Sequence, residues 1–381
     1  MDCKQFFRTT WTLLVGAWLL AVAGCAHVAF EPGAKLEQSA LVFGRILLDR
    51  DGEKLIVSPF SMPVVIRDIE TGAEPRVLVQ NFEKDGTFYW AMPPGRYQLS
   101  VLIHNYSDGI QSYSFNLEKA GNAYYFGDLT IHGQRRFDHV GSANMRDIRA
   151  LFNDRFDEAQ TELVQRNPSM RPSAMQRLTV HDMTKPVERV RVYQDAMAAQ
   201  RVCCDSLASV HYKPLAVGAS IAEKIDKDSR VFDFAEGRSR FLAWELPSLD
   251  KPFVVNMRSV VTPSGLPGTG GFYIFSPAIM LLDSTFQVLG KQERGLFLPV
   301  PTSVFPMRSA SLMAQIDSRQ LPPNARYLMV YTTPTIIEGV LSTTAPGFMP
   351  IAGGVLPTGF PVMVRMEPAI SGDFEVELLP R

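Results

Sequence analysis

The side chains that could do chemistry in this chain are few and scattered. Six histidines occur among 381 residues, and none of them has a visible catalytic or metal-binding partner. The sequence contains no G-x-S-x-G elbow, H-E-x-x-H helix, C-x-x-C pair or phosphate-binding glycine loop. We therefore predict a protein that is not an enzyme and that uses no metal or cofactor. A glycosidase is a distant alternative, because its two facing carboxylates leave no sequence signature.

Cysteines are the other reactive side chains, and there are four of them. Cys203 and Cys204 are adjacent, so their Cα atoms lie ~3.8 Å apart, which is below the usual range for a disulfide. Both a strained vicinal disulfide and a pair of buried reduced thiols fit this arrangement. A metal site would need more ligands than these two.

Cys25 stands at the end of an uncharged apolar run. Lys4 and Arg8 precede the run, and basic residues followed by an apolar segment are typical of secretory signals. The run ends in Leu19-Leu20-Ala21-Val22-Ala23-Gly24-Cys25, which resembles the lipobox of bacterial lipoproteins. The alternative is an uncleaved transmembrane helix over residues 9–30, which have about the length that spans a bilayer but are diluted by threonine and glycine.

The lipoprotein resemblance implies a division of the N-terminus. Residues 1–24 would be a signal peptide, Cys25 the acylated N-terminus, and residues 25–35 a tether. Several acyl chains together hold a protein firmly on a membrane, since each buried methylene contributes ~0.8 kcal/mol. Ala26 follows Cys25 where an inner-membrane retention signal has Asp, so the resemblance implies an anchor in the outer membrane, facing the periplasm.

The charge balance excludes one class of partner. The chain has 38 basic and 39 acidic residues, and its formal net charge is −1. No segment carries the excess of Lys and Arg that neutralising phosphates requires. Nucleic acid is therefore not an expected partner.

Short strand patterns separated by turn residues fill residues 36–140 and predict a first β-sandwich. Phe88, Trp90 and Met92 alternate with residues of the opposite face, as a half-buried strand requires. The candidate strands are 40–48, 64–68, 76–81, 87–92, 97–103, 112–117 and 124–131.

Two short runs of this domain have specific patterns. Residues 86–97 resemble a motif of prealbumin-like and carboxypeptidase-regulatory-like sandwiches, in which an apolar strand enters a Pro-Gly turn and leaves through an aromatic residue. The resemblance implies a structural or binding module. Phe88, Trp90 and Tyr97 are predicted to be core residues rather than a sugar-stacking surface. Residues 49–52 lack the third acidic position and the closing Glu of a calcium loop and are predicted to form a hairpin turn.

Residues 141–202 are predicted to form a helical connector. Apolar residues recur at helical spacing over residues 142–166, with Asn144 as N-cap, and two prolines end the pattern. A second short helix is predicted from about residue 186 to residue 201.

Residues 203–381 return to strand patterns and predict a second antiparallel β-sandwich. The fold class is therefore mainly β, with two antiparallel sandwich domains joined by a helical connector. The candidate strands are 230–234, 239–246, 253–262, 272–275, 278–283, 325–333, 361–367 and 373–379.

This second half resembles the maltose-operon periplasmic protein family. The similarity is carried by positions that define a fold: Tyr212-Lys213-Pro214-Leu215, residues 231–239 and 241–247, Phe275-Ser276-Pro277, residues 280–283, 327–333 and 362–366. The family is periplasmic and associated with carbohydrate uptake, and it has no catalytic residues that could be carried over. The resemblance therefore implies a link to carbohydrate and assigns no site.

Residues 259–282 and 339–364 contain no charged side chain. Four prolines exclude a transmembrane helix over the second stretch. We expect either strands with tightly packed loops or an apolar loop with Phe348, Met349 and Phe360 at its tip, which would contact a partner, a glycan or the membrane.

Two functions follow from these observations. The first is a non-catalytic envelope lipoprotein that binds glycans or serves carbohydrate transport through its second sandwich. The alternative is an envelope scaffold that holds another protein and has no small-molecule ligand.

Overall fold

The computed structural model describes residues 36–56, 64–72, 82–102, 110–137, 143–263, 272–301, 310–339, 341–351 and 354–381. Over these residues the chain is mainly β, which confirms the predicted fold class. Most neighbouring strands are antiparallel, and a few pairs are parallel. The predicted strand at 76–81 and the lipidation residue Cys25 lie outside the described residues.

Ten strands of the described residues build the first half of the molecule. They form one sheet in the order β2-β1-β7-β8, with β4 beside β1 and β9 beside β7, and a second sheet in the order β10-β6-β5-β3. The strands are β1 (Ala40–Arg50), β2 (Glu53–Ile56), β3 (Val64–Asp68), β4 (Thr87–Met92), β5 (Gly95–Leu102), β6 (Ile110–Leu117), β7 (Ala123–Phe137), β8 (Ala143–Asn153), β9 (Met175–Arg177) and β10 (His181–Asp182).

The two sheets of the first half enclose an aromatic core. Phe88 and Trp90 from β4 are stacked at 3.7 Å between ring centroids, and Tyr97 from β5 is 3% exposed. The prediction that these rings are core residues is confirmed. Residues 49–52 form the predicted hairpin turn, in which Gly52 N donates to Asp49 Oδ1 at 2.9 Å.

The predicted helix over residues 142–166 is wrong in its first half. Residues 143–153 form β8, which pairs antiparallel with β7, and the helix α1 (Phe156–Arg166) begins only afterwards. Ile148 and Ala150 face the first core at strand spacing, while Leu151 is 53% exposed. Without β8, one edge of the long strand β7 would be unpaired. A helix at residues 143–153 would satisfy its own backbone groups but not those of this edge, whereas a strand satisfies both.

The first sandwich extends further along the chain than the predicted boundary at residue 140. Residues 175–182 form a strap that pairs with both sheets, since β9 pairs with β7 and β10 pairs with β6. The strap therefore closes one side of the sandwich.

Fifteen strands of the described residues build the second half. They form sheets in the orders β11-β14-β22-β18-β19 (with β13 beside β14), β12-β25-β15-β21-β20 and β16-β17-β24-β23. The strands are β11 (Lys213–Pro214), β12 (Ser220–Ile225), β13 (Val231–Phe234), β14 (Gly237–Glu245), β15 (Phe253–Val260), β16 (Thr262–Pro263), β17 (Phe272–Phe275), β18 (Ala278–Asp283), β19 (Val288–Gln292), β20 (Leu298–Val300), β21 (Ser311–Asp317), β22 (Ala325–Tyr331), β23 (Leu341–Ile351), β24 (Gly354–Ala369) and β25 (Gly372–Pro380).

The first two of these sheets pack face to face around Trp244, which is fully buried. Phe374, Val376 and Leu378 of β25 point into this core, as the alternation of the last predicted strand requires. The outer face of the β14 sheet is also apolar, and residues 203–212 and β13 cover it.

Two helices lie where the halves meet. The predicted second helix is confirmed as α2 (Pro186–Ala198), and a single turn, α3 (Pro334–Glu338), lies against it. Tyr193 and Met197 of α2 pack with Ile69 of the first half and Ile370 of the second. Among the described residues no helix is both long and apolar enough to cross a membrane.

Candidate functional site

The two central cysteines form a disulfide. Cys203 and Cys204 are bonded to each other, so the vicinal disulfide is the one of the two expected arrangements that the structure contains. Cys203 is exposed, while Cys204 packs against the outer apolar face of the β14 sheet.

Residues 339–364, for which the sequence allowed either strands or an apolar loop, contribute to a β-ribbon. Phe348 and Met349 lie in β23 and Phe360 lies in β24, and the two strands pair from Leu341 to Met366. Pro346 faces Pro361 across the ribbon, so two residues that lack an amide N–H share one rung of the ladder. The expectation of strands was therefore the better of the two that the sequence allowed.

The outer face of the β14 sheet carries a cluster of three aromatic rings, Tyr212, Phe286 and Tyr327, which we call the ring cluster. The Phe286 and Tyr327 rings are stacked with an interplanar angle of 9° and centroids 4.9 Å apart. Tyr212 lies against both, 4.3 Å from Tyr327 and 5.7 Å from Phe286 between centroids. Phe286 and Tyr327 are half-buried, so the cluster reaches the surface.

Phe286 is held in an unusual backbone conformation. Its φ of 63° lies in the left-handed region, which is rare for a bulky residue other than glycine. Such a conformation costs about 1 kcal/mol or more and persists only where its surroundings enforce it. Bulky outliers of this kind concentrate at binding sites, so this turn is a candidate for function.

Asp283 is the residue that enforces the turn. Its Oδ1 accepts hydrogen bonds from Thr285 N, Thr285 Oγ1 and Gln287 N at 2.8 to 2.9 Å. The backbone N–H of Gln287 and the Thr285 side chain hold the pKa of Asp283 below its usual range. The carboxylate is thus ionised at neutral pH and keeps Phe286 against Tyr327.

Tyr212 is fixed by its hydroxyl. The group donates to Leu207 O at 2.9 Å, and it contacts Met329 Sδ at 3.7 Å. Burial, with a smaller contribution from Tyr327, raises the pKa of Tyr212 to about 12. The ring cluster therefore presents neutral and rigid aromatic surface, which suits stacking against the apolar face of a flat ligand.

A second set of functional candidates lies between the two halves, where polar side chains are buried. We call this set the polar seam; it consists of Arg67, Gln98, Ser100, Ser112, Tyr193, Tyr273, Glu367 and Ser371. The outer faces of β3, β5 and β6 contribute the first four residues, and α2 contributes Tyr193. All eight side chains are nearly inaccessible to solvent.

Glu367 is the acceptor at the centre of the polar seam. Gln98 Nε2 donates to its Oε2 at 2.7 Å, and Ser112 Oγ donates to both oxygens at 3.0 Å. Ser112 Oγ lies 2.7 Å from Ser100 Oγ, which is hydrogen-bonded in turn to the Tyr273 hydroxyl.

These contacts set the direction of every hydroxyl in the row. The Ser112 hydroxyl has one proton and donates it to Glu367. Ser100 must therefore donate to Ser112, and Tyr273 must donate to Ser100. Arg67 lies at the end of this row. Its guanidinium is 4.3 Å from the Tyr273 ring centroid and donates to Ser371 Oγ at 3.1 Å. Burial, with the nearby charge of Glu367, holds the pKa of Tyr273 well above its usual range, so the phenol stays protonated.

Neither set resembles a metal centre. Among the described residues, no cluster of three or more His, Cys, Asp or Glu could hold a metal ion. The polar seam is closed to solvent, so its carboxylate is placed to join two sheets. The ring cluster is open to solvent and suits binding.

Sequence reasoning singled out neither the ring cluster nor the polar seam. Tyr212 and Tyr327 are among the positions of the resemblance given above, but the only signal at Phe286 is that it directly follows the turn-forming run Asp283-Ser284-Thr285. The seam had one usable signal. Uncharged polar residues alternate with aromatic and aliphatic ones in both β5 and β6, which indicates a polar face that is nevertheless buried.

Comparison of the chain with protein-family models, with curated proteins and with solved structures finds no match.

Proposed function

We propose that this chain is a non-catalytic, lipid-anchored protein of a bacterial envelope that binds carbohydrate. Residues from Cys25 onward would face the periplasm from the outer membrane. The ring cluster would receive the glycan.

The observation that carries the proposal is the surface stack of Phe286 and Tyr327. A sugar ring has one face of C–H groups, and such a face packs on aromatic surface while its hydroxyls stay in contact with water and polar side chains. The stack also lies in the half of the chain that resembles a periplasmic family associated with carbohydrate uptake.

Tyr327→Ala tests the site. The variant removes one ring of the stack, and we expect malto-oligosaccharide or other envelope-glycan binding, measured by calorimetry, to weaken by tenfold or more, since a stacking ring contributes about 1 kcal/mol beyond its buried area. Phe232→Ala is the matched control, because Phe232 is another half-buried ring on the same face that contacts Phe234 and Phe241 instead. An absence of heat from every glycan with the unaltered protein would overturn carbohydrate binding.

Cys25→Ser tests the anchor separately. We expect the variant to lose labelling by a radioactive fatty acid and to appear as a periplasmic or unprocessed form. Cys3→Ser is the control, since Cys3 lies within the predicted signal peptide and its loss leaves labelling intact. Labelling that survives in Cys25→Ser would disprove the lipoprotein assignment.

The second candidate is an envelope scaffold, and the β-ribbon is the observation that favours it. β24 pairs with β17 only over Met366–Ala369, so within the described residues the rest of the ribbon pairs only with itself. An isolated two-stranded ribbon is marginally stable in water, and this one contains no charged residue from 341 to 364. Photo-crosslinking from Phe348 or Phe360 distinguishes the candidates, because a single strong protein adduct supports the scaffold and the absence of adducts argues against it.

A further inference from the structure

A cleft opens in the first half, remote in sequence from the ring cluster. It has a volume of about 170 Å³, and its walls come from β5, β6, the strap and α2. Ile69 and Val192 are buried apolar residues of its lining, whereas most of the other lining side chains are polar.

One polar group in the cleft is buried without a partner. Ser114 is 2% exposed, and among the residues that the structure describes its Oγ finds no hydrogen-bond partner. Its neighbours in β6, Tyr113 and Phe115, belong to the core of the first sandwich. Because side chains alternate along a strand, Ser114 points to the opposite face, where the cleft lies. A buried hydroxyl without a partner is destabilising, so a ligand hydroxyl that bonded to it would relieve that penalty.

The rest of the polar lining offers both donors and acceptors. Asn116 and Gln176 carry amides at the cleft, and Thr179 carries a hydroxyl. These groups can each donate and accept a hydrogen bond. A ligand rich in hydroxyl groups matches them, because a hydroxyl also does both.

The charges that line the cleft balance. Arg96 and Arg177 are matched in number by Glu118 and Asp195. Arg177 is also paired with Asp154, 2.9 Å away, and Asp195 with Arg191, 3.8 Å away, so the balance is kept. A charged ligand would therefore gain little from the cleft as a whole, and a neutral ligand is favoured.

The volume sets the size of the ligand. A cavity of about 170 Å³ is smaller than the ~300–1,000 Å³ sites of drug-sized molecules and holds about six waters. One sugar ring fills this space.

We infer that this cleft is a second binding site, for a single neutral sugar or a polyol of similar size. Ser114 donates to or accepts from a ligand hydroxyl at the buried end, Asn116 and Gln176 bind hydroxyls nearer the mouth, and the apolar face of the ligand lies on Val192. The inference shares a ligand class with the proposed function and rests on different residues.

Ligand-observed saturation-transfer NMR on the purified full-length protein tests the inference. The probes are glucose, galactose and glycerol, with glucuronate and glucosamine as the negatively and positively charged comparisons. We expect saturation transfer to at least one neutral probe at millimolar concentration and weaker transfer to both charged sugars. Ser114→Ala removes one hydrogen bond and should weaken binding by about two- to tenfold, while Asn116→Trp should fill the mouth and abolish it.

Ser311→Ala is the matched control. Ser311 is also a buried serine whose Oγ has no partner among the described residues, but it lies in β21 of the second half and outside the cleft. Its loss should leave binding of the neutral probe unchanged.

Three results would overturn the inference: no transfer to any neutral probe, stronger transfer to a charged sugar, or equal binding by Ser114→Ala, Asn116→Trp and the unaltered protein. Tyr327→Ala separates this site from the ring cluster. If that variant alone abolishes binding of the neutral probe, the ring cluster is the binding site and the cleft holds only water.

Discussion

Glu367 is 3% exposed and lies against the serine- and glutamine-bearing face of the first sandwich. An ionised carboxylate in such a place is tolerated only when its oxygens are well hydrogen-bonded. Gln98 and Ser112 provide those bonds, and both come from the other half of the molecule. A single residue of β24 therefore binds two strands of a distant sheet.

Glu367→Gln should destabilise the protein by about 3 kcal/mol, as expected for disruption of a buried, hydrogen-bonded charge. The amide would turn an NH₂ group toward Ser112 or Gln98, which both act as donors here. Urea unfolding measures the loss. Glu375→Gln is the control, because Glu375 is 44% exposed and 3.4 Å from Arg258, and exposed pairs contribute less than about 1 kcal/mol. Equal losses in the two variants would contradict the role of Glu367.

Alkaline pH should destabilise the fold through its buried tyrosines. Burial raises the pKa of Tyr212 from 10 to about 12, and it raises the pKa of Tyr193 and Tyr273 as well. The unfolded chain therefore loses these protons first, so the free energy of unfolding is unaffected below pH 10 and falls as the pH rises from 10 to 12.

Tyr212→Phe isolates one part of that effect. The variant should lose about 2 kcal/mol less than the unaltered protein over the same pH range, although its stability at neutral pH is lower because the bond to Leu207 O is gone. Urea unfolding on both sides of pH 10 gives the two slopes. Identical slopes would show that Tyr212 ionises as easily in the fold as in water.

At the scale of elements, the sequence predicted what a strand's own residues determine. The bounds of β3, β4, β17 and β18 match the predictions, because turn residues and alternating hydrophobicity mark both ends. β8 was missed, since its apolar residues fit a helical repeat and a strand repeat equally well. The choice depends on the free edge of β7, which is a property of the assembled sheet.

Gly44 is a residue whose identity is constrained by the neighbouring strand of the assembled sheet. β1 runs parallel to β7, and their register shifts beside Gly44, where a Cβ would lie 2.6 Å from Gly127 O. Gly44→Ala should therefore cost about 1–3 kcal/mol in chemical unfolding, as overpacked sites do.

Gly290→Ala is the matched control for that variant. Gly290 lies in β19, and a Cβ added there meets no atom within 4 Å. Its replacement should change stability by less than about 0.5 kcal/mol or raise it slightly. A harmless Gly44→Ala would show that β1 and β7 can move apart at little cost.

At the scale of the whole molecule, the two sandwiches are joined by more than a connector. Helix α2 packs on both halves, and Arg189, 1% exposed, donates to Ile337 O and Glu338 O at the end of α3. Two sandwiches could be predicted from strand patterns. Their polar junction could not, because it depends on which faces meet in space.

We expect the two halves to unfold in one transition. Trp90 reports on the core of the first sandwich and Trp244 on that of the second, whereas Trp11 and Trp18 lie in the predicted signal peptide. In Trp90→Phe and in Trp244→Phe, the fluorescence of the remaining core tryptophan should follow the same denaturation curve as the far-ultraviolet circular dichroism. Separate midpoints would show that the sandwiches unfold independently.

The polar seam also bears on the order in which the protein matures. Gln98 and its partner Glu367 are 269 positions apart, so the contact between Glu367 and the first sandwich forms only after almost the entire chain has been synthesised or exported. An apolar face exposed for that interval would attract other chains. This face carries serine, glutamine and arginine, which water solvates well, so while it is exposed it is less prone to such contacts than an apolar face would be.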